Sequence, residues 1–287
     1  MPLLPRLVCE AVRAIPRGWS RILPLVAHCA PCLRDVVLDI DICGPMHMDL
    51  RESVCNILLR YGYYPHQQAE DRIVSYIVKP DMIVFDIGAN IGWYSCLIHR
   101  LTEGRGRIIA VEPMPRALRL LRGSAVSRAN IRILPCAIGE ASGYGHLCEA
   151  GSLDLSRVSY SSVGDVEVVT IDDLAARFGQ PDFIKLDVEG AELAAFRGAV
   201  KTLSGAHPPY ILFEYIPANT IEFGTYPLMQ LLETLKLGSY SCFRIGHEAQ
   251  LYPIGASTES TLLTNDYLAV PPHGVSNIRS IATKEVR

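Results

Sequence analysis

The stretch Asp86-Ile87-Gly88-Ala89-Asn90-Ile91-Gly92, set directly after the apolar run Met82-Ile83-Val84-Phe85, constrains the fold more than any other feature. A short apolar run bounded by Pro80-Asp81 on one side and a glycine loop on the other reads as a buried strand. A strand that passes through such a loop into a helix opens a doubly wound α/β sheet, in which ligands bind beyond the carboxyl ends of the strands. Glycine admits positive φ there and keeps side chains away from a ligand.

The pattern that follows agrees. Arg107–Val111, Ile131–Leu134, Phe183–Leu186 and Tyr210–Phe213 are strand-like, with helical spacing over about 92–102, 117–126 and 190–203 between them. Such alternation predicts right-handed βαβ units and a parallel sheet covered on both faces. Residues 240–245 and 267–270 read as a closing antiparallel pair. Ahead of the sheet, residues up to about 30 are helical and broken by proline. Residues 35–50 alternate as a hairpin with Gly44-Pro45 between the runs, and residues 67–78 have helical spacing. The expected organisation is an N-terminal extension (1–79), an α/β domain (80–272) and a flexible tail (273–287).

Composition narrows the function. Hydrophobic residues make up 49% of the 287 and charged residues 20%, enough for a sizeable core, and a formal charge of −3 gives no general attraction to nucleic acid. No apolar run approaches the roughly 18 residues of a spanning helix. Arg6, Arg13, Arg17 and Arg21 together with Pro2, Pro5, Pro16 and Pro24 argue against a secretory signal and favour a packed extension over an interfacial helix touching a membrane. Nine cysteines without a disulfide spacing, and a single CxxC at Cys29–Cys32, read as reduced thiols of a cytoplasmic protein.

The ligand of the loop can be read from its charges. The spacing is not G-x-G-x-x-G, and Asp86 at the strand end opposes a pyrophosphate. A cationic ligand bearing an ammonium and a sulfonium, as S-adenosylmethionine does, is favoured instead. Glu112 ends the second strand, where a carboxylate can accept hydrogen bonds from the two hydroxyls of a ribose. An NAD-type oxidoreductase is disfavoured on the same grounds. A non-catalytic cofactor-binding protein is the less economical alternative.

From Phe85 to Ser95, at Val111-Glu112-Pro113, at Ala137-Ile138-Gly139, over Thr170–Leu174, over Ile184–Glu192 and at Asn265–Pro271, the chain resembles the FkbM family of methyltransferases. The resemblance covers roughly residues 80–272. It implies a Rossmann-like class I methyltransferase sheet, mostly parallel with an antiparallel closing strand. It also implies S-adenosylmethionine-dependent methylation, usually of a hydroxyl on a sugar, glycolipid or polyketide. The expected cofactor-binding residues are Asp86, Gly88, Ala89, Asn90, Gly92, Glu112, Pro113, Ala137, Ile138 and Asp187. Tyr64-Pro65 stands where the family often has an acidic residue after the tyrosine of the leader.

An alcohol is a poor nucleophile until its proton begins to leave, so such an enzyme benefits from a general base. Asp187, at the carboxyl end of the fourth strand, is the first candidate, with Glu189 on the following loop. Glu192, Glu214 and His247 are lesser ones. Asp187, Glu189 and Glu214 have the chemistry to hold a divalent cation, but no ligand spacing makes that specific, and the reading is metal-free. Lys185, inside an apolar strand, is assigned no catalytic role. The acceptor is a small molecule or a glycan- or lipid-linked hydroxyl compound, and the segments expected to recognise it are the N-terminal extension, the Gly/Ser-rich excursion over 140–165 and the 216–230 segment.

Overall fold

The structure, a computed structural model, describes residues 19–148, 157–161, 163–219, 227–236, 238–254 and 263–278. It begins with α1 (Trp19–Cys29), which carries Pro24 within it. Strands β1 (Val36–Ile40) and β2 (Gly44–Met48) form an antiparallel hairpin with Val36 opposite Met48. In β1, Val36, Leu38 and Ile40 are buried while Val37 and Asp39 face solvent, the two-residue period of a one-sided strand. The turn falls on residues 41–43, one step earlier than the expected Gly44-Pro45. Pro45 can sit in β2 because this two-stranded ribbon leaves an edge where no N–H is required. Two helices follow, α2 (Ser53–Tyr61), closed by Gly62 in the left-handed region, and α3 (Gln68–Ile77). Helix α3 buries Ala69, Glu70, Ile73, Val74 and Ile77, a stripe of helical period that includes one acid.

The α/β domain runs through β3 (Ile83–Ile87), α4 (Trp93–Leu101), β4 (Arg107–Val111), α5 (Pro115–Ala125) and β5 (Ile131–Leu134). After an excursion it continues with α6 (Ile171–Phe178), β10 (Phe183–Leu186), α7 (Glu192–Arg197), α8 (Val200–Ser204) and β11 (Tyr210–Glu214). It then closes with α9 (Leu228–Lys236), β12 (Ser241–Gly246), β13 (Leu251–Pro253) and β14 (Leu263–Val270). The sheet order is β13-β12-β14-β11-β10-β3-β4-β5. Strands β5, β4, β3, β10 and β11 are parallel; β14, β12 and β13 are antiparallel. This is the expected mixed sheet, with β13 as an additional edge strand.

Each core strand is apolar on both faces because helices cover both. Val84, Ile108, Phe183 and Leu212 pack with α3, α4 and α5 and with the N-terminal elements. Phe85, Ile109, Ile184 and Phe213, one residue out of step, pack with α6 to α9. The first cluster runs without a break from Leu23 to Ile278. The stretch read from sequence as a Gly/Ser-rich excursion forms a second sheet, β6-β9-β7-β8, from β6 (Cys136–Ile138), β7 (Gly143–Cys148), β8 (Arg157–Ser161) and β9 (Val166–Val169).

Beyond the sheet, the expected flexible tail is anchored as far as Ile278, which is 1% exposed. The Asn277 carbonyl accepts the Tyr76 hydroxyl at 2.6 Å, and its amide donates to the Tyr210 hydroxyl at 3.1 Å. Residues 279–287 lie outside the described residues, as do Arg6, Arg13 and Arg17. Among the described residues no helix is long and apolar enough to cross a membrane, and the cysteines are free thiols, Cys29 and Cys32 on the surface.

Candidate functional site

From β3 the chain proceeds to β4 and β5 on one side, and from β10 to β11 on the other, so the sheet reverses direction between β3 and β10. Two adjacent parallel strands whose connections leave in opposite directions open a crevice at their carboxyl ends. The Asp187 N–H donates to the Ile87 carbonyl at 3.0 Å there, which carries the β10–β3 ladder past the ends of both strands. Gly88 then turns the chain at φ +78°, and a Cβ on it would lie 1.7 Å from the Asp187 carbonyl oxygen. Gly92, at φ +94°, would press a Cβ onto Leu121 at 2.7 Å. Close packing of the loop on β10 and α5 therefore requires these glycines, independently of any ligand.

The loop is held from β4. The N–H groups of Gly88 and Ala89 donate to the Val111 carbonyl at 2.9 and 3.0 Å. Glu112 completes the clasp, accepting the Asn90 N–H on Oε2 and the Met114 N–H on Oε1, both at 2.8 Å. Burial lifts the Glu112 carboxyl to about 7, while these two donors pull it back down. Each carboxylate oxygen keeps a further lone pair for another donor.

A cleft of about 740 Å³, open to solvent, lies over these groups. Of the residues expected at the cofactor, Gly88, Asn90, Glu112, Pro113, Ala137, Ile138 and Asp187 line it, as does Glu189. Asp86, Ala89 and Gly92 do not. Asp86 is 1% exposed and takes the Ser95 hydroxyl at 2.5 Å, because its side chain leaves β3 on the face covered by α4. Burial raises its carboxyl to about 6 against that bond. Ala89 packs with Ala110 and Leu121. Sequence reading missed Met114, Cys136 and Val158 in the cleft wall. Met114 follows Glu112-Pro113 directly and was legible in principle; Val158 arrives with the second sheet, which no local pattern announced.

Next to the cleft the strand ends carry acids. In each parallel or antiparallel pair the register sets neighbours side by side: Lys185 beside Asp86, and Glu214 beside Asp266. Carboxylate oxygens of Asp187, Glu189 and Glu214 lie within 4.8 Å of one another. The Lys185 ammonium, on a side chain 2% exposed, reaches Asp187 Oδ2 at 3.3 Å and lies over the Tyr94 ring. Burial opposes its charge, but Asp187, Asp266 and Glu214 outweigh that and hold it above the ordinary lysine range. Glu214 is raised to about 8 by burial and then by the neighbouring acids. Glu189, held at φ +52°, takes the Asn219 amide at 2.7 Å. The Glu192 carboxylate is turned back onto the Gly190 N–H, and His247 sits exposed in the turn after β12. The Asp187, Glu189 and Glu214 spacing is short enough to close on a divalent cation. Lys185 already brings one positive charge to it.

The profile of the Methyltransferase FkbM domain matches residues 86–238, more than half of the chain. The chain belongs to the FkbM methyltransferase family. Among its relatives are the hexuronic acid methyltransferase AglP of Haloferax volcanii, 26% identical over 135 residues, and the 2-O-methyltransferase NoeI of Sinorhizobium fredii, 27% identical over 186 residues. The first match covers 45% of this chain and 54% of AglP; the second covers 57% and 75%. A solved methyltransferase FkbM from Methylobacillus flagellatus superposes with TM-score 0.46 at 19% identity, over 76% of this chain and 54% of that one. The chain thus spans about half the length of AglP and of the Methylobacillus protein.

The cofactor of this family member is S-adenosylmethionine, and the cleft fits it. Among the described residues no N–H or O–H donates to the buried Asn90 Oδ1, which leaves it an acceptor for a ligand. Glu112 stands beside it as a fixed carboxylate. The cleft's far wall is apolar, from Cys136, Ala137 and Ile138 of β6.

Proposed function

We propose that this chain is an O-methyltransferase acting on a hydroxyl of a sugar, glycolipid or polyketide-like acceptor, with Asp187 as general base. In this reading Glu112 holds the ribose hydroxyls, Gly88 and Asn90 face the amino-acid end, and Ala137 and Ile138 lie against the adenine. The bound cofactor supplies a sulfonium-borne methyl group that an oxygen nucleophile can accept.

The chain's own task is alignment and proton removal. The carrying observation is that Asp187 belongs both to the cleft wall and to the acid cluster with Glu189 and Glu214. An acceptor hydroxyl placed between them meets a proton acceptor at the cofactor's side. Lys185 orients that carboxylate from below at 3.3 Å. Glu189 and Glu214 are placed to accept further hydroxyl protons of a polyol, which suits a sugar. The names of NoeI and AglP, which refer to 2-O-methylation and to a hexuronic acid, support the reading at low identity. The described N-terminal residues, from Leu23 to Val78, complete one face of the core, and we treat 1–79 as an extension of the domain on that ground.

Labelled S-adenosylmethionine incubated with cell-extract glycans and lipids tests the proposal. Label in a hydroxyl-bearing fraction, lost on Asp187→Asn, is the expected result. Tight cofactor binding with no labelled fraction would turn the reading towards a non-catalytic binding protein.

A further inference from the structure

Glu70 of α3 lies outside the matched family domain, and no part of its side chain reaches solvent: its exposure is 0%. Neither carboxylate oxygen receives a hydrogen bond from any N–H or O–H among the described residues. Its neighbour is another carboxyl, Asp266 of β14, within hydrogen-bonding range. Two carboxyls bond to each other only if one of them keeps a proton.

The surroundings decide which one does. Asp266 has the Lys185 ammonium and the Thr264 hydroxyl to favour its ionised form. On Glu70 the nearby N–H of its own backbone and the Lys185 charge pull the same way but more weakly, and burial together with the Asp266 charge raises it to about 9. The groups facing the pair are Tyr94 of α4, Lys185 of β10 with Asp187 at its end, and Glu214 of β11. Asp71 is engaged elsewhere, accepting the Trp93 indole N–H at 3.0 Å. One ammonium therefore serves three acids: Asp266, which the sheet register sets beside Glu214, Glu214 itself, and Asp187, whose carboxylate lies within 4.8 Å of that of Glu214.

We propose that Glu70 is a positioning residue for the methyl-transfer site: a protonated acid that donates to Asp266 and so leaves the Lys185 ammonium committed to Asp187. This rests on the reading of Asp187 as the base. Without that neutral donor Asp266 draws on Lys185 more strongly, and Asp187 loses the contact that orients it.

The test compares the full chain with Glu70→Gln, which keeps a neutral donor of the same shape, and Glu70→Ala, which does not. At neutral pH the wild type is expected to show protonated-carboxyl stretches in the infrared from Glu70 as well as from Glu214 and Glu112, and the wild-type minus Glu70→Gln difference spectrum to show the loss of one such band. Glu70 ionises near 4.5 in the unfolded chain and near 9 in the fold, so between those values only the fold holds the proton. Wild-type stability accordingly falls as pH rises through that window, and the fall is smaller for Glu70→Gln. Glu70→Ala is expected to transfer label roughly tenfold or more slowly, with S-adenosylhomocysteine affinity unchanged, and Glu70→Gln to retain the rate. Superimposable infrared spectra and melting profiles for wild type and Glu70→Gln overturn the proposal, as does equal loss of rate in both variants. A wild type that labels nothing overturns the methyl-transfer reading and the positioning role with it, whereas the infrared band speaks to the shared proton alone.

Discussion

Glu112 Oε2 accepts the Asn90 N–H at 2.8 Å, which ties the end of β4 to the loop that leaves β3. One carboxylate thus fixes the loop's shape and faces the cleft. Glu112→Ala removes both functions. A hydrogen bond to a charged group contributes about 1.5–3 kcal/mol, so S-adenosylhomocysteine affinity measured by calorimetry is expected to fall roughly ten- to hundredfold. Unchanged affinity would take Glu112 out of the cofactor site.

The same residue makes binding depend on pH. With its carboxyl at about 7, Glu112 is mostly protonated in the free fold below that value and ionised above it. Hydrogen-bond donors from a ribose favour the ionised form, so binding releases a proton on the acid side. Affinity for S-adenosylhomocysteine is expected to climb as pH rises through about 7 and then level off. Calorimetry in two buffers of different ionisation enthalpy would detect the proton, and Glu112→Gln would abolish it.

Gly88→Ala is expected to destabilise the fold by more than the roughly 1–2 kcal/mol that left-handed backbone alone costs. The added methyl lies 1.7 Å from the Asp187 carbonyl, so β3 and β10 must also separate at the switch point. Thermal unfolding measures the loss. A variant as stable as the wild type would contradict the loop geometry.

Asp187→Asn keeps the backbone bond to Ile87 and the shape of the strand end. Turnover on any accepted hydroxyl should drop by roughly 10²–10⁴, the range of general-base catalysis, and by more than S-adenosylhomocysteine affinity measured alongside. Should turnover survive, Glu214 or Glu189, within 4.8 Å, becomes the base to examine.

Much of this site was legible in the residues. Asp86 to Gly92 announced a strand, a turn and a helix because each depends on neighbours in the chain, and β3 and α4 stand where that pattern put them. Glu112 and Asp187 followed from strand ends, which a short apolar run marks. The glycines were legible as necessary, but their reason was not: Gly88 and Gly92 are needed for contact with Asp187 and Leu121, residues far along the chain. Asp86 was read as a charge facing the ligand, yet the parity of β3 turns it under α4 towards Ser95. The second sheet escaped notice because β7 and β8 are short, Gly- and Ser-containing strands stabilised mainly by each other.

By itself the sequence determined the order of the parallel strands and of the helices between them, the crevice at the end of β3 and the family. These are written in short-range periodicity, in turn residues and in motifs of contiguous positions. Only the tertiary structure decided which acids meet. Glu70, Asp187, Glu214 and Asp266 come from α3, the end of β10, β11 and β14, and none is near another in the chain. Strand register and the packing of α3 on the sheet bring them around one buried ammonium, Lys185, whose charge persists because several carboxylates outweigh the cost of its burial.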